Sequence, residues 1–168
     1  MRVLRCTRRA LDYLGAAAGD QSEPGDVDGV LKEWYVNLLR IERRNCLLFA
    51  EARTLYVFLV PGVVKRDVEK LPALFAERLR MNHLRDGIPN DIVDRVAEVE
   101  SFHLAKTRDR RVLGSMTELA HLYRYHIEAE GGLARVDVQE LNRRMNRAPI
   151  SMLGMDYSID ALREQLVD

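Results

Sequence analysis

The order of apolar and polar positions divides the chain into strand-like and helix-like stretches. Residues 2–6 read as a short strand, with Leu4 and Cys6 on one face and Val3 and Arg5 on the other. Thr7 is placed to cap a helix that runs to Leu14 and ends at Gly15. Residues 16–32 are small, acidic and interrupted by Gly19, Pro24, Gly25 and Gly29; no apolar period survives, which predicts a mobile loop. Residues 34–42, 46–50 and 54–60 are rich in β-branched, aromatic and leucine side chains, and the breaks between them are short enough for hairpins. In the first, Tyr35, Asn37, Leu39 and Ile41 fall on one side and Trp34, Val36, Leu38 and Arg40 on the other. The third is apolar on both sides, which predicts a central position.

Helical spacing governs the rest. Leu74, Phe75, Leu79 and Asn82 share a stripe on a helix that starts near Pro72, and Ile92, Val93, Val96 and Val99 face inward on another that Asn90 can cap. Residues 102–105 read as a further strand. The clearest helix covers residues 110–129, where Val112, Met116, Leu119, Tyr123 and Ile127 keep helical spacing between a capping Asp109 and Gly131-Gly132. Short helices are expected at 138–145, before Pro149, and at 159–167, capped by Ser158. The expected fold is α+β: a largely antiparallel sheet with a central three-stranded meander packed against helices, in a single domain over residues 1–168.

Composition narrows the function classes. A hydrophobic share of 47% supports a core, and 26 basic against 26 acidic residues argue against a dedicated DNA coat, which would be strongly basic. The opening residues are too charged for a signal peptide, and the apolar run 55–64 contains Pro61 and Gly62 and is too short to span a bilayer. The reading is a cytoplasmic protein without a membrane segment, with reduced thiols at Cys6 and Cys46.

The charges are balanced in number and segregated in place. Arg2, Arg5, Arg8 and Arg9 crowd the start; Arg40, Arg43 and Arg44 end a strand; Lys106, Arg108, Arg110 and Arg111 lead into the long helix; Arg143, Arg144 and Arg147 form a fourth group. Two of these groups sit where a strand feeds a helix, and a helix start already carries partial positive charge. Cations there suggest an anion site built from Arg5, Arg8, Lys106, Thr107, Arg111 and Ser115; the alternative is pairing with the acids of the 20–33 loop or exposure to solvent. Gly114, inside the helix pattern, suggests close approach of a ligand or another backbone. Asn37, amid apolar strand residues, reads as a polar anchor bonded to backbone, with Arg40 beside it.

No catalytic signature stands out. Cys6 and Cys46 share strand phase with leucines and read as buried thiols. His121 and His126 point apart on a helix, and no HExxH, GxSxG or paired-cysteine motif occurs, so neither a metal nor a cofactor is expected.

Several stretches resemble a family of uncharacterised bacterial proteins known as a domain of unknown function. They are Arg5-Cys6-Thr7, the run from Trp34-Tyr35-x-Asn37-Leu38-x-Arg40-Ile41 through Arg43-Arg44 to Cys46-Leu47-Leu48-Phe49, and Ala105-Lys106-Thr107 followed by Val112-Leu113-Gly114-Ser115-Met116. Leu141-Asn142-x-x-x-Asn146-x-x-Pro149 completes the set. The turn at 50–53 departs from the family pattern, which is more polar there. The resemblance implies no established activity and transfers no catalytic residue. The functional expectation is a binding or regulatory module whose basic surface meets an anionic partner, either an acidic protein surface or a nucleic-acid backbone. Self-association is compatible with it. The alternative is a nuclease-like enzyme acting on phosphodiesters or nucleotides through an arginine-rich pocket.

Overall fold

The computed structural model describes residues 1–15 and 23–167. Part of the loop expected at 16–32 therefore lies outside the described residues. Five strands, β1 (Arg2–Cys6), β2 (Glu33–Ile41), β3 (Arg44–Glu51), β4 (Val57–Val60) and β5 (Phe102–Lys106), form one sheet in the order β4-β3-β2-β1-β5. The meander β2-β3-β4 is antiparallel, as the alternation and short breaks predict. By contrast, β1 runs parallel to both β2 and β5.

The sheet is thus mixed rather than largely antiparallel, and the meander forms one side of it rather than its centre. Parallel neighbours need long crossovers, and helices supply them. α1 (Arg8–Leu14) lies between β1 and β2 in sequence, while α2 (Lys65–Glu69), α3 (Leu71–Arg85) and α4 (Asn90–Ala97) lie between β4 and β5. All five residues of β1 are buried, Arg2 and Arg5 included, as befits a strand covered on both faces. β4, expected to be central, is an edge strand. Its two apolar faces are explained by helices on both sides of the sheet, and its outer edge is met by Asn142 and Asn146 of α6 (Val138–Met145).

On one face, Leu4, Cys6, Trp34, Phe49 and Phe58 pack with Phe75 and Leu79 of α3, Val93 of α4, and Ile159 and Leu162 of α7 (Ser158–Val167). Phe75 meets Trp34 and Phe49 edge-on at centroid distances of 5.1 and 5.2 Å. Such pairs add about 0.5–1.5 kcal/mol each to what burial alone supplies. On the other face, Tyr35, Leu39, Leu48 and Val57 pack with Val112, Met116 and Tyr123 of α5 (Arg110–Ala129), and with Leu141 and Met145 of α6. The helical stripe read in 110–129 is therefore the one that covers the meander. A small hairpin, β6 (Pro149–Ile150) and β7 (Asp156–Tyr157), precedes α7.

Four local expectations are corrected. The first hairpin turns at Glu42 and Arg43, both with positive φ (50° and 65°), as a primed two-residue turn requires, so Arg44 opens β3 instead of ending β2. That unusual turn is braced from outside: the Glu42 carboxylate accepts the Leu133 N–H at 3.0 Å, and a Cβ on Gly132 would lie 2.5 Å from Glu42 Oε1. Pro89, not Asn90, precedes α4, and Ser158 is the first residue of α7 with its buried hydroxyl unpartnered. Gly114 is exposed, and a Cβ there would meet nothing within 4 Å, so neither a ligand nor a neighbouring backbone accounts for it.

Candidate functional site

β1 and β5 end side by side, Cys6 opposite Lys106. The chain leaves β1 into α1, whose Ala10 and Leu14 join the core around Trp34 and Phe75; it leaves β5 into α5, whose Val112 and Met116 join the core on the opposite face. Adjacent parallel strands whose following helices depart to opposite faces open a crevice beyond their carboxyl ends, the place where open α/β sheets receive ligands. The two basic junctions of the sequence, 5–9 and 106–111, follow these two neighbouring strand ends.

Their cations divide into two sets. Arg5 is fully buried, and its guanidinium is spent internally: Nε donates to Glu33 Oε1, Nη2 to Glu23 Oε1 at 2.9 Å, and Nη1 to the Lys106 carbonyl at 3.0 Å. Arg108 shares the same two carboxylates, reaching Glu33 Oε1 at 3.1 Å and Glu23 Oε1 at 3.7 Å. Burial works against the Arg5 charge, but Glu23 and Glu33 outweigh it and raise the pKa. Hydrogen bonding and charge from Arg5 in turn hold the Glu23 carboxyl below its usual range, with further help from Arg108 and His103. For Arg5 the pairing with the acidic loop is thus the arrangement found. Arg8, Arg9, Lys106 and Arg110 form the second set: all are exposed, and none has an ion pair among the described residues. Arg111, also exposed, keeps one contact, to the Asp109 carboxylate at 3.4 Å.

The polar residues between them are tied down. Thr7 caps α1, its hydroxyl accepting from Ala10 N at 3.3 Å and donating to Asn37 Oδ1 at 2.8 Å. Asn37 is therefore a half-buried anchor, but bonded to a side chain rather than to backbone. Asp109 caps α5 by accepting from Arg111 N at 2.8 Å, which holds its carboxyl below the usual range, while the Asp109 N–H donates to Tyr35 Oη at 3.2 Å. Thr107 is half-buried between these two caps in sequence. Two predicted members stand apart. Ser115 is buried on the inner side of α5 with its hydroxyl 3.8 Å from Met152 Sδ, and Arg40 lies on the face of β2 opposite to Asn37, its carbonyl accepting from Arg124 Nη1 at 2.8 Å.

Pairing with the acidic loop was one of the two readings of the sequence, but which acids pair with which arginine was not legible, because Glu23, Glu33 and Arg108 lie 18, 28 and 103 residues from Arg5. The thiols are buried as expected. Burial pushes Cys6 up to about 12 and raises Cys46 as well, which disfavours the thiolate at both. Among the described residues no group of three or more His, Cys, Asp or Glu side chains could hold a metal ion, and no helix is long and apolar enough to cross a membrane.

The fold defines a small α+β protein: a mixed sheet with helices on both faces, and exposed basic residues after the ends of β1 and β5. A family model described as a domain of unknown function, DUF6933, matches residues 3–161, and the chain belongs to that family. No curated protein and no solved structure matches it.

Proposed function

We propose that this protein is a binding or regulatory module that takes an anionic partner at the crevice beyond β1 and β5. The observation that carries the reading is the register Cys6↔Lys106, which brings Arg8, Arg9, Lys106 and Arg110 to one sheet edge with no acidic partner for any of them among the described residues. Beside them in sequence, Arg5 and Arg108 are paired with Glu33 and Glu23 and so add no net charge of their own. Exposed cations attract a polyanion by charge rather than by shape, and the partner is an acidic protein surface or a nucleic-acid backbone. Of the hydroxyls that an enzyme acting on phosphodiesters could use, two are committed elsewhere. Ser115 is turned into the core, and the Thr7 hydroxyl is engaged on both sides.

The test is binding of labelled RNA, single-stranded DNA, duplex DNA and polyglutamate at low and raised salt. Binding to one of these that weakens steeply with salt, and that Arg8→Glu and Lys106→Glu each reduce, is the expected result. Absence of binding to all four at low salt would overturn the reading.

A further inference from the structure

At the opposite edge of the sheet, where β1 begins, a second cationic site is built from segments far apart in sequence. A cavity of about 310 Å³ is lined by Arg2 of β1, Lys32 just before β2, Arg95 of α4 and Gln165 of α7, with Val30, Val96 and Leu166 supplying apolar wall. Three cations line it, and among the described residues no carboxylate does.

Arg2 is the unusual member. It is 3% exposed, yet only one of its donors is used: Nη2 donates to the Val96 carbonyl near the end of α4. Its Nε and Nη1 are buried without a hydrogen-bond partner among the described residues, and the guanidinium carbon sits 5.8 Å from the centre of the Phe75 ring. A buried guanidinium with two empty donors costs more than a satisfied one, and proteins keep such groups where something else completes them. Gln165 presents the complementary gap, a buried Oε1 acceptor with no donor. Lys32 and Arg95 have no ion pair among the described residues. Lys32 and Arg95 thus line one small cavity together with Arg2 and Gln165, the two residues with unfilled buried polar atoms.

We propose that this cavity binds a small phosphomonoester. A dianionic phosphoryl group balances more of the three cations than a monocarboxylate can, and its oxygens match the guanidinium forks of Arg2 and Arg95. A hydroxyl on the organic part donates to Gln165 Oε1, and its carbons contact Val30, Val96 and Leu166. The volume lies at the lower end of small-molecule pockets, which sets this ligand apart from the macromolecular partner of the other edge.

The experiment is calorimetric titration with glycerol 3-phosphate and inorganic phosphate, with glycerol and acetate as controls. Both phosphate probes bind, glycerol 3-phosphate more tightly, and the controls do not. Arg2→Met removes a buried side chain and is open to misfolding, so the deciding variants are Lys32→Gln and Arg95→Gln. Each weakens phosphate binding by roughly tenfold or more, the value of one charge-assisted hydrogen bond, and leaves the melting temperature of the unliganded protein unchanged. Gln165→Leu weakens glycerol 3-phosphate but not inorganic phosphate. Arg8→Glu, at the other edge, changes neither, so the two sites fail or stand separately. No binding of either phosphate probe at millimolar concentration, or binding that Lys32→Gln and Arg95→Gln leave intact, overturns the proposal.

Discussion

Asn146 holds Val57 by both edges of its amide: Nδ2 donates to the Val57 carbonyl at 2.8 Å, and Oδ1 accepts the Val57 N–H at 2.8 Å. One helical turn earlier, Asn142 accepts the Leu59 N–H at 2.9 Å and faces the Leu59 carbonyl at 3.5 Å. The match is geometric. Four residues of α-helix advance about 6.0 Å, and two residues of strand about 6.6–6.8 Å, so amides spaced i, i+4 meet alternate residues of an edge strand. α6 thus stands in for a further strand beside β4 and closes an edge that would otherwise invite pairing with another chain. This gives the Leu141-Asn142-x-x-x-Asn146 segment a physical purpose.

Asn146→Ala leaves the Val57 N–H and carbonyl buried and unpaired, and at about 1–3 kcal/mol for each such group the expected loss is about 2–4 kcal/mol. Tyr123 donates to Asn142 Oδ1 at 2.7 Å, but Leu59 N already serves that oxygen, so Tyr123→Phe costs about 1 kcal/mol. Urea unfolding of the two variants measures the difference. Equal losses would show that the amides do not complete the sheet.

The division of the basic cluster into internal and exposed cations has its own stability signature. Arg5→Met leaves Glu33 with only the half-exposed Arg108 as its partner and empties the hydrogen bond to the Lys106 carbonyl, with an expected loss of about 2–3 kcal/mol. Arg108→Ala, with its side chain 54% exposed, costs about 1 kcal/mol or less even though it touches the same carboxylates. Thermal melts of both variants decide it: an Arg5 variant as stable as the Arg108 one would mean that the buried pair is not formed in solution.

What could be read from the sequence, and what could not, follows from the range of the interactions. The meander was legible because alternation and hairpin length are local, and α5 because its stripe Val112, Met116, Leu119, Tyr123 is long and periodic. The insertion of β1 between β2 and β5 was not: a five-residue strand buried on both faces carries no mark of its neighbours. Arg5 and Arg8 look alike in sequence, three residues apart, yet strand phase and the distant Glu23 and Glu33 make one a buried strut and leave the other at the surface. Asn142 and Asn146 stood out as residues, but only the sheet order reveals that β4 has an edge for them to cover. Arg2 passed as one more arginine in a basic start, because its cavity is assembled from α4, α7 and the segment before β2.

Gly114 offers a direct check on the long helix. It sits within α5, exposed, with nothing near the position a Cβ would take. Gly114→Ala therefore lowers the entropy of the unfolded chain without a native clash, and should stabilise the protein by about 0.5–1 kcal/mol. The midpoint of denaturant unfolding should rise with an unchanged slope. A destabilised variant would instead reveal a partner that needs the glycine surface.

His83 makes the stability depend on pH below its ordinary pKa. The ring is fully buried in α3, edge-on to Tyr56 at 5.1 Å, and neither ring nitrogen has a hydrogen-bond partner. Burial, and then the nearby charge of Arg2, lower its pKa from 6.5 to about 3. The folded protein thus keeps this imidazole neutral where the unfolded chain protonates it. The unfolded state binds more protons between those two values, so stability is fully present above pH 6.5 and is lost as the pH falls toward 3. The fall approaches about 1.4 kcal/mol per pH unit, which amounts to about 2 kcal/mol between pH 7.5 and 5. His83→Leu keeps the site apolar and removes the titrating group, so its unfolding free energy should vary less over that range by about the same amount. Denaturant titrations of both proteins at pH 7.5, 6 and 5 provide the comparison, and parallel profiles would show that His83 finds a proton acceptor or water in the folded state.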